Sequence, residues 1–191
     1  MTVSSSRGVR ALVAFVGALL LFVTPGTTSA AWSDAAWFSA SFTTSWRIVE
    51  IKWWNTQKCL DVQNGTPTSG LQLQIYDCNH IAAAQQFLLA SDGTIRTGTG
   101  WTWCVALDTA ANNSPVVLRS CGAAPAGLLT WTQDAGSVAP YVRFVAPGTW
   151  AGGGSGCMDN ANTLAVDGNK VIGYSCAGGS PSGQSWNLVP W

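Results

Sequence analysis

The chain has 191 residues, with nine Lys and Arg against nine Asp and Glu, one His, six Cys, eleven Trp and 21 Gly. Only 9% of residues are charged and the signs balance, so the sequence has neither the clustered positive surface that nucleic acid needs nor an acidic solvating tail. Its length allows one medium domain or two very small ones, and its wealth of Cys and Trp excludes a disordered segment.

Arg7 and Arg10 make a positive start, Ala11–Val23 is an uncharged apolar run, Pro25-Gly26 breaks it, and Thr28-Ser29-Ala30 places small residues before Ala31. This order predicts a cleaved secretory signal over residues 1–30. The apolar run is too short for a membrane span, which takes about 20 residues. Cleavage leaves seven basic and nine acidic residues, a formal charge of −2. It also sends all six cysteines to an oxidising compartment, where disulfides are expected. The predicted location is secreted and extracellular, with no membrane span in the mature form.

Residues 31–46 carry Trp32, Trp37, Phe38, Phe42 and Trp46 among Ser, Thr and Ala. The favoured reading is a strap over the following domain, because so many exposed aromatics invite aggregation. The other is an aromatic surface for a partner or a polysaccharide.

From residue 47 onward the chain repeats. The cysteines fall at 59 and 78, 104 and 121, and 157 and 176. A short alternating apolar run precedes each pair: Arg47–Ile51, Gly93–Arg96 and Tyr141–Val145. An aromatic follows each pair, at Phe87 in Gln85-Gln86-Phe87, Trp131 in Leu129-Thr130-Trp131 and Trp186 in Gln184-Ser185-Trp186. Short Val-, Ile-, Leu- and Trp-rich runs are punctuated by Asn64-Gly65, Asp92-Gly93, Pro147-Gly148 and Asp167-Gly168, which is the pattern of many short strands joined by turns. Only Ala82–Gln86 could make a helical turn. Three such repeats (about 47–91, 92–139 and 140–191) imply a closed threefold all-β architecture. Six cysteines alone permit fifteen connectivities.

The run Cys59-Leu60-Asp61-Val62, then Gln74-Ile75-Tyr76-Asp77-Cys78, then Gln85-Gln86-Phe87 resembles one subdomain of a ricin B-chain-type β-trefoil lectin, a group also classed as carbohydrate-binding module family 13. Ser91–Arg96 resembles the opening of the next subdomain. The likeness covers residues 47–191. It implies an all-β β-trefoil of twelve short strands, six in a barrel and six in a cap. It also implies one disulfide within each repeat: Cys59–Cys78, Cys104–Cys121 and Cys157–Cys176.

The same resemblance implies where a sugar would bind. The family uses an acid two residues after the first Cys of a repeat and an aromatic two residues before the second. The carboxylate accepts hydrogen bonds from neighbouring hydroxyls, and the ring packs on the apolar face of a pyranose. The candidates are Asp61 and Tyr76 in the first repeat, with Gln74 supporting the carboxylate, and Asp159 and Tyr174 in the third, where Ile172 replaces that Gln. The middle repeat has Ala106 and Arg119 instead, with Asp108 two positions late, so its site is expected to be dead. Ala84 and Gly183 stand where the family usually has Asn, and Asn79 or Asn187 could substitute. As a plainer alternative, Asp61 and Asp159 cap turns and the two tyrosines are core. Gln85, Phe87, Trp131, Gln184 and Trp186 are expected to be structural. Trp53-Trp54 and Trp101-Thr102-Trp103 either cover the barrel or widen a binding surface.

No catalytic constellation is legible. The one His, His80, follows Cys78 in a predicted turn, the cysteines are expected in disulfides, and symmetry-related acids cannot share one glycosidic bond. No cofactor or metal is expected. Two readings remain: a secreted carbohydrate-binding protein with weak sites in the first and third repeats, or a secreted β-trefoil interaction protein or inhibitor whose sugar sites have decayed. Carboxylate recognition predicts loss of sugar binding below about pH 4, where an ordinary Asp protonates.

Overall fold

The computed structural model describes residues 47–122, 128–135, 140–146, 148–151, 153–177 and 182–191. The predicted signal over 1–30 and the aromatic segment 31–46 lie outside the described residues. Twelve strands follow one another in three sets of four. The first repeat supplies β1 (Arg47–Trp53), β2 (Lys58–Asp61), β3 (Gln74–Asp77) and β4 (Phe87–Leu89). The second supplies β5 (Ile95–Thr97), β6 (Trp103–Leu107), β7 (Ser114–Ser120) and β8 (Thr132–Ala135). The third supplies β9 (Val142–Ala146), β10 (Gly156–Asn160), β11 (Val171–Ser175) and β12 (Trp186–Pro190). The one α-helical turn among the described residues, α1 (Ala82–Gln85), falls on the Ala-rich run where the sequence allowed one.

The outer strand of each repeat closes a circuit. β1 pairs with β4 and β12, β4 with β5, β8 with β9 and β9 with β12, all antiparallel. A bridge between Thr94 and Thr130, just before β5 and β8, completes the ring. Closure removes the exposed edges that a short-stranded sheet would otherwise present. The inner strands form three hairpins, β2–β3, β6–β7 and β10–β11. These also join in a ring, through Gln72–Val117, Gln74–Lys170 and the β7–β11 pairing. This is the six-strand barrel and three-hairpin cap of a β-trefoil.

Alternation along the strands builds the core. In β1, Val49, Ile51 and Trp53 are at most 2% exposed while Ile48 faces solvent, as a period of two requires. Leu60, Ile75, Val105, Leu118, Phe144 and Met158 bring all three repeats into the same cluster. Each fully buried side chain of this kind contributes about 1.5–3 kcal/mol. The aromatics that follow each cysteine pair are core, as expected. Phe87 and Trp186 are fully buried and Trp131 nearly so. Their indole N–H groups are not wasted: Trp131 Nε1 donates to Val105 O at 2.9 Å and Trp186 Nε1 to Met158 O at 3.1 Å. Buried indoles need such a partner.

The three disulfides are the ones the resemblance implied, with Cα–Cα distances of 5.1, 5.0 and 5.0 Å, all within the normal range. Among the described residues, no helix is long and apolar enough to cross a membrane.

Candidate functional site

In the β2–β3 hairpin, Cys59 lies opposite Tyr76 and Asp61 opposite Gln74. All four therefore share one face, with Asp61 and Tyr76 as diagonal neighbours. β10–β11 repeats this register, with Cys157 opposite Tyr174 and Asp159 opposite Ile172. The fixed spacing from the first cysteine thus becomes a fixed position on a sheet face, because the disulfide and the pairing leave the hairpin one register.

Asp61 is buried, only 4% exposed, whereas Tyr76 is 40% exposed. Two amides hold the carboxylate: Gln74 Nε2 donates to Oδ1 at 2.9 Å and Gln85 Nε2 to Oδ2 at 3.2 Å. Gln85 also donates to Asp77 O at 2.9 Å and accepts from the Asn79 backbone N–H at 2.9 Å. It therefore clamps the loop after Cys78 against the acid. Burial pushes the Asp61 carboxyl above its ordinary value, and the Gln74 and Gln85 hydrogen bonds offset this only in part. Neither alternative for these residues holds in the first repeat: Asp61 makes no turn cap, and Tyr76 is not core.

Asp61, Gln74 and Tyr76 open on a cleft of about 390 Å³, whose rim is completed by Asn64, Asn79 and Ile81. Small residues at Gly65, Ala83 and Ala84 keep it open. Of the two candidates for the missing Asn, the structure brings Asn79 to the cleft. Asn187 pairs instead with Lys52 across β12 and β1 and is not among its lining residues.

The third repeat has the same clamp. Gln184 Nε2 donates to Asp159 Oδ2 at 2.9 Å and to Ser175 O at 3.0 Å, and its Oε1 accepts from the Ala177 N–H at 3.1 Å. Tyr174 is 42% exposed. Burial again raises the Asp159 carboxyl, against a single lowering hydrogen bond from Gln184. Ile172 gives the second carboxylate oxygen no amide, which is the difference from the first repeat.

The middle repeat replaces this polar set as a unit. Ala106 lies opposite Val117, and both pack with Leu129, the residue in the Gln85 position, against the Cys104–Cys121 disulfide. Asp108 continues the register opposite Pro115, on the same hairpin face as Ala106, and forms an ion pair with Arg119, the residue in the tyrosine position. The Asp61 position therefore holds no carboxylate, and the one two residues on is engaged by a guanidinium.

One pair of equivalent residues, of which Asn64 lines the first-repeat cleft, escaped the sequence reading. Asn64 and Asn162 each follow the repeat's Asp by three residues, and both adopt left-handed backbone, with φ of 61° and 54°. Asn tolerates that conformation better than most residues. The Asp-x-x-Asn spacing was visible in both repeats, and Thr109 breaks it in the middle one. Only its first Asn was read, as part of the Asn64-Gly65 turn.

Residues 47–139 match the family described as ricin-type beta-trefoil lectin domain. No curated protein matches the sequence. Among solved structures, the designed threefold-symmetric protein ThreeFoil is similar at 24% identity with a TM-score of 0.59, covering 75% of this chain and 99% of its own. A non-toxic homologue of type II RIPs from Momordica charantia (bitter gourd), in complex with α-methyl-D-galactoside, is similar at 17% identity with a TM-score of 0.60. That likeness covers 78% of this chain but only 49% of the bitter gourd protein. The C-half of the earthworm R-type lectin, in complex with GalNAc, is similar at 13% identity with a TM-score of 0.57, covering 76% of this chain and 99% of its own.

Proposed function

This chain carries a ricin-type β-trefoil lectin domain, and on that premise we propose that it is a secreted carbohydrate-binding protein with sugar sites in its first and third repeats. The observation that carries the reading is the Asp–Gln clamp beside an exposed Tyr, present in both of those repeats. A buried carboxylate with its geometry fixed by amides presents its remaining lone pairs to two sugar hydroxyls without losing entropy on binding. The half-exposed tyrosine offers a face to the apolar side of the pyranose. The middle repeat, with Ala106 and an Arg119–Asp108 ion pair, takes no part. The domain spans 47–191, behind a signal of residues 1–30 and an aromatic segment of 31–46. The protein acts by binding and not by catalysis.

A single shallow site of this kind binds with a Kd of roughly millimolar order, about −4 kcal/mol. Two sites on one rigid body then gain through avidity on a polymer or a cell surface. A glycan array and a polysaccharide pull-down with the full chain, against Asp61→Ala, Asp159→Ala and the double variant, test the reading. Each single variant should weaken capture and the double should abolish it. Binding that survives the double variant moves the sites elsewhere. Absence of binding to any glycan favours a trefoil interaction protein or inhibitor, a reading for which Gly183 in place of the family's Asn is the specific support.

A further inference from the structure

We propose that the first-repeat cleft continues into a second subsite walled by Trp101, so that the protein takes a neutral oligosaccharide chain and not a single sugar; this rests on the reading of Asp61 and Tyr76 given above. A second cleft, also about 390 Å³, adjoins the first and shares Gly65 and Ala83 with it. The saddle between the two is low because those residues are small. A β-carbon on Gly65 would already stand 3.1 Å from Ala83 Cβ, and the glycine's φ of 61° disfavours any other residue.

Beyond the saddle, one wall comes from Pro67 and Gln86 of the first repeat and the other from the turn Thr99–Trp101 of the second. Trp101 is held at φ 56°, after two glycines that also have positive φ, Gly98 at 76° and Gly100 at 71°. A bulky residue in the left-handed region is a true outlier, and such strain concentrates at ligand clamps. Both Trp101 and Trp103 are half-buried, but Trp103 packs against the core whereas Trp101 lines the cleft.

The chemistry of the lining selects the occupant. An aromatic wall, a Gln side chain and an exposed Thr hydroxyl suit a ligand with apolar ring faces and many hydroxyls. No charged residue lines the second cleft, and Asp61 is the sole charged residue lining the first. A sulfated glycan, a phosphorylated ligand or a nucleic acid would find no cation here, so the chain that runs from Asp61 past Gly65 to Trp101 is uncharged.

The test is calorimetric titration of the full chain in an Asp159→Ala background, which leaves the first repeat as reporter. The probes are N-acetylgalactosamine, lactose and linear β-1,4-galacto-oligosaccharides of two to five units, applied to that parent and to added Trp101→Ala, Trp101→Phe and Asp61→Ala. The parent should bind the longer chains about tenfold more tightly than the monosaccharide, a step in line with one added aromatic contact. Trp101→Ala should remove that gain and leave monosaccharide affinity unchanged, Trp101→Phe should retain most of it, and Asp61→Ala should abolish binding of both. Affinity independent of chain length, or a gain that survives Trp101→Ala, overturns the second subsite while leaving the Asp61 reading intact. Binding unchanged by Asp61→Ala, or no binding of any probe, overturns that reading and the subsite with it. Thermal melting of Trp101→Ala and Trp101→Phe checks that both variants remain folded at the titration temperature.

Discussion

Asp159 Oδ1 lies 2.5 Å from the point that a β-carbon on residue 183 would occupy, so the carboxylate of the third site sits directly over the glycine backbone. The equivalent residue of the first repeat, Ala84, already carries a methyl group, and Asp61 is fixed there by two amides instead. The third repeat thus accommodates its carboxylate through the absence of a side chain where the first holds it with an extra hydrogen bond. Gly183→Ala should displace Asp159 and lower stability by about 1–3 kcal/mol, the usual cost of overpacking. In an Asp61→Ala background it should also remove the remaining glycan binding. Thermal unfolding and glycan titration of the double variant read both effects, and binding that persists would show that Asp159 moves aside at little cost.

The pH dependence follows from the raised carboxyls. Burial lifts Asp61 and Asp159 above the ordinary 3.8, so in the window between 3.8 and the raised folded values the native state binds more protons than the unfolded chain. Stability from these two groups is therefore fully present below the unfolded value and is lost as pH rises through the folded values. Sugar binding runs the other way, because the ionised form is the acceptor. It should fall off at a higher pH than the value near 4 expected of an ordinary Asp. Glycan affinity measured from pH 3 to 7 should rise as the two carboxyls ionise, at a higher pH than an ordinary Asp would give. Flat affinity over that range would exclude carboxylate recognition.

The middle repeat shows how the polar pair can be replaced without a stranded amide. Asp61→Ala alone leaves Gln74 Nε2 buried without its acceptor, which costs about 1–3 kcal/mol. Adding Gln74→Val recreates the Ala106–Val117 pair found in the second repeat. The double variant should be more stable than the single one, with near-neutral stability relative to wild type. Denaturant unfolding of the three proteins measures the coupling. Simple additivity of the two losses would contradict the assignment of Gln74 as a partner of the acid.

Each disulfide closes one hairpin, across separations of 19, 17 and 19 residues. Chain entropy assigns about 3 kcal/mol to loops of this length. Replacing Cys59 and Cys78 with Ser should cost about that much and weaken first-site binding, since the same hairpin face carries Asp61 and Tyr76. The equivalent change at Cys104 and Cys121 should lower stability by a similar amount and leave glycan affinity unchanged. Chemical unfolding and titration of the two variants separate these effects.

Much of the fold was legible because its signals are periodic. Paired cysteines, alternating apolar runs and the aromatics Phe87, Trp131 and Trp186 recur in register, and the core uses them as recurrence implied. The acids and tyrosines were placed correctly on the hairpins, since two residues from a bridged cysteine is a position on a sheet face. The departure of the middle repeat from the other two was also visible, through Ala106 and Arg119. Less was legible of what surrounds the acids. Asn64 read only as part of an Asn-Gly turn and Asn162 was not singled out, because a turn residue and a cleft-lining residue look alike in sequence. Gly183 read as a missing side chain, because its closeness to Asp159 appears only when the loop is folded back.

By itself, then, the sequence determined the threefold all-β plan, the residues that repeat and the repeat that has lost its polar pair, because strand alternation and cysteine spacing are local patterns that survive projection onto a line. Tertiary structure decided which acids are buried and how each is held. The clamping amides lie 24 and 25 residues from their carboxylates, and burial depends on loops that pack across that distance. Tertiary structure alone also joined Trp101 of the second repeat to the cleft of the first, because neighbouring repeats meet only once the two strand rings have closed.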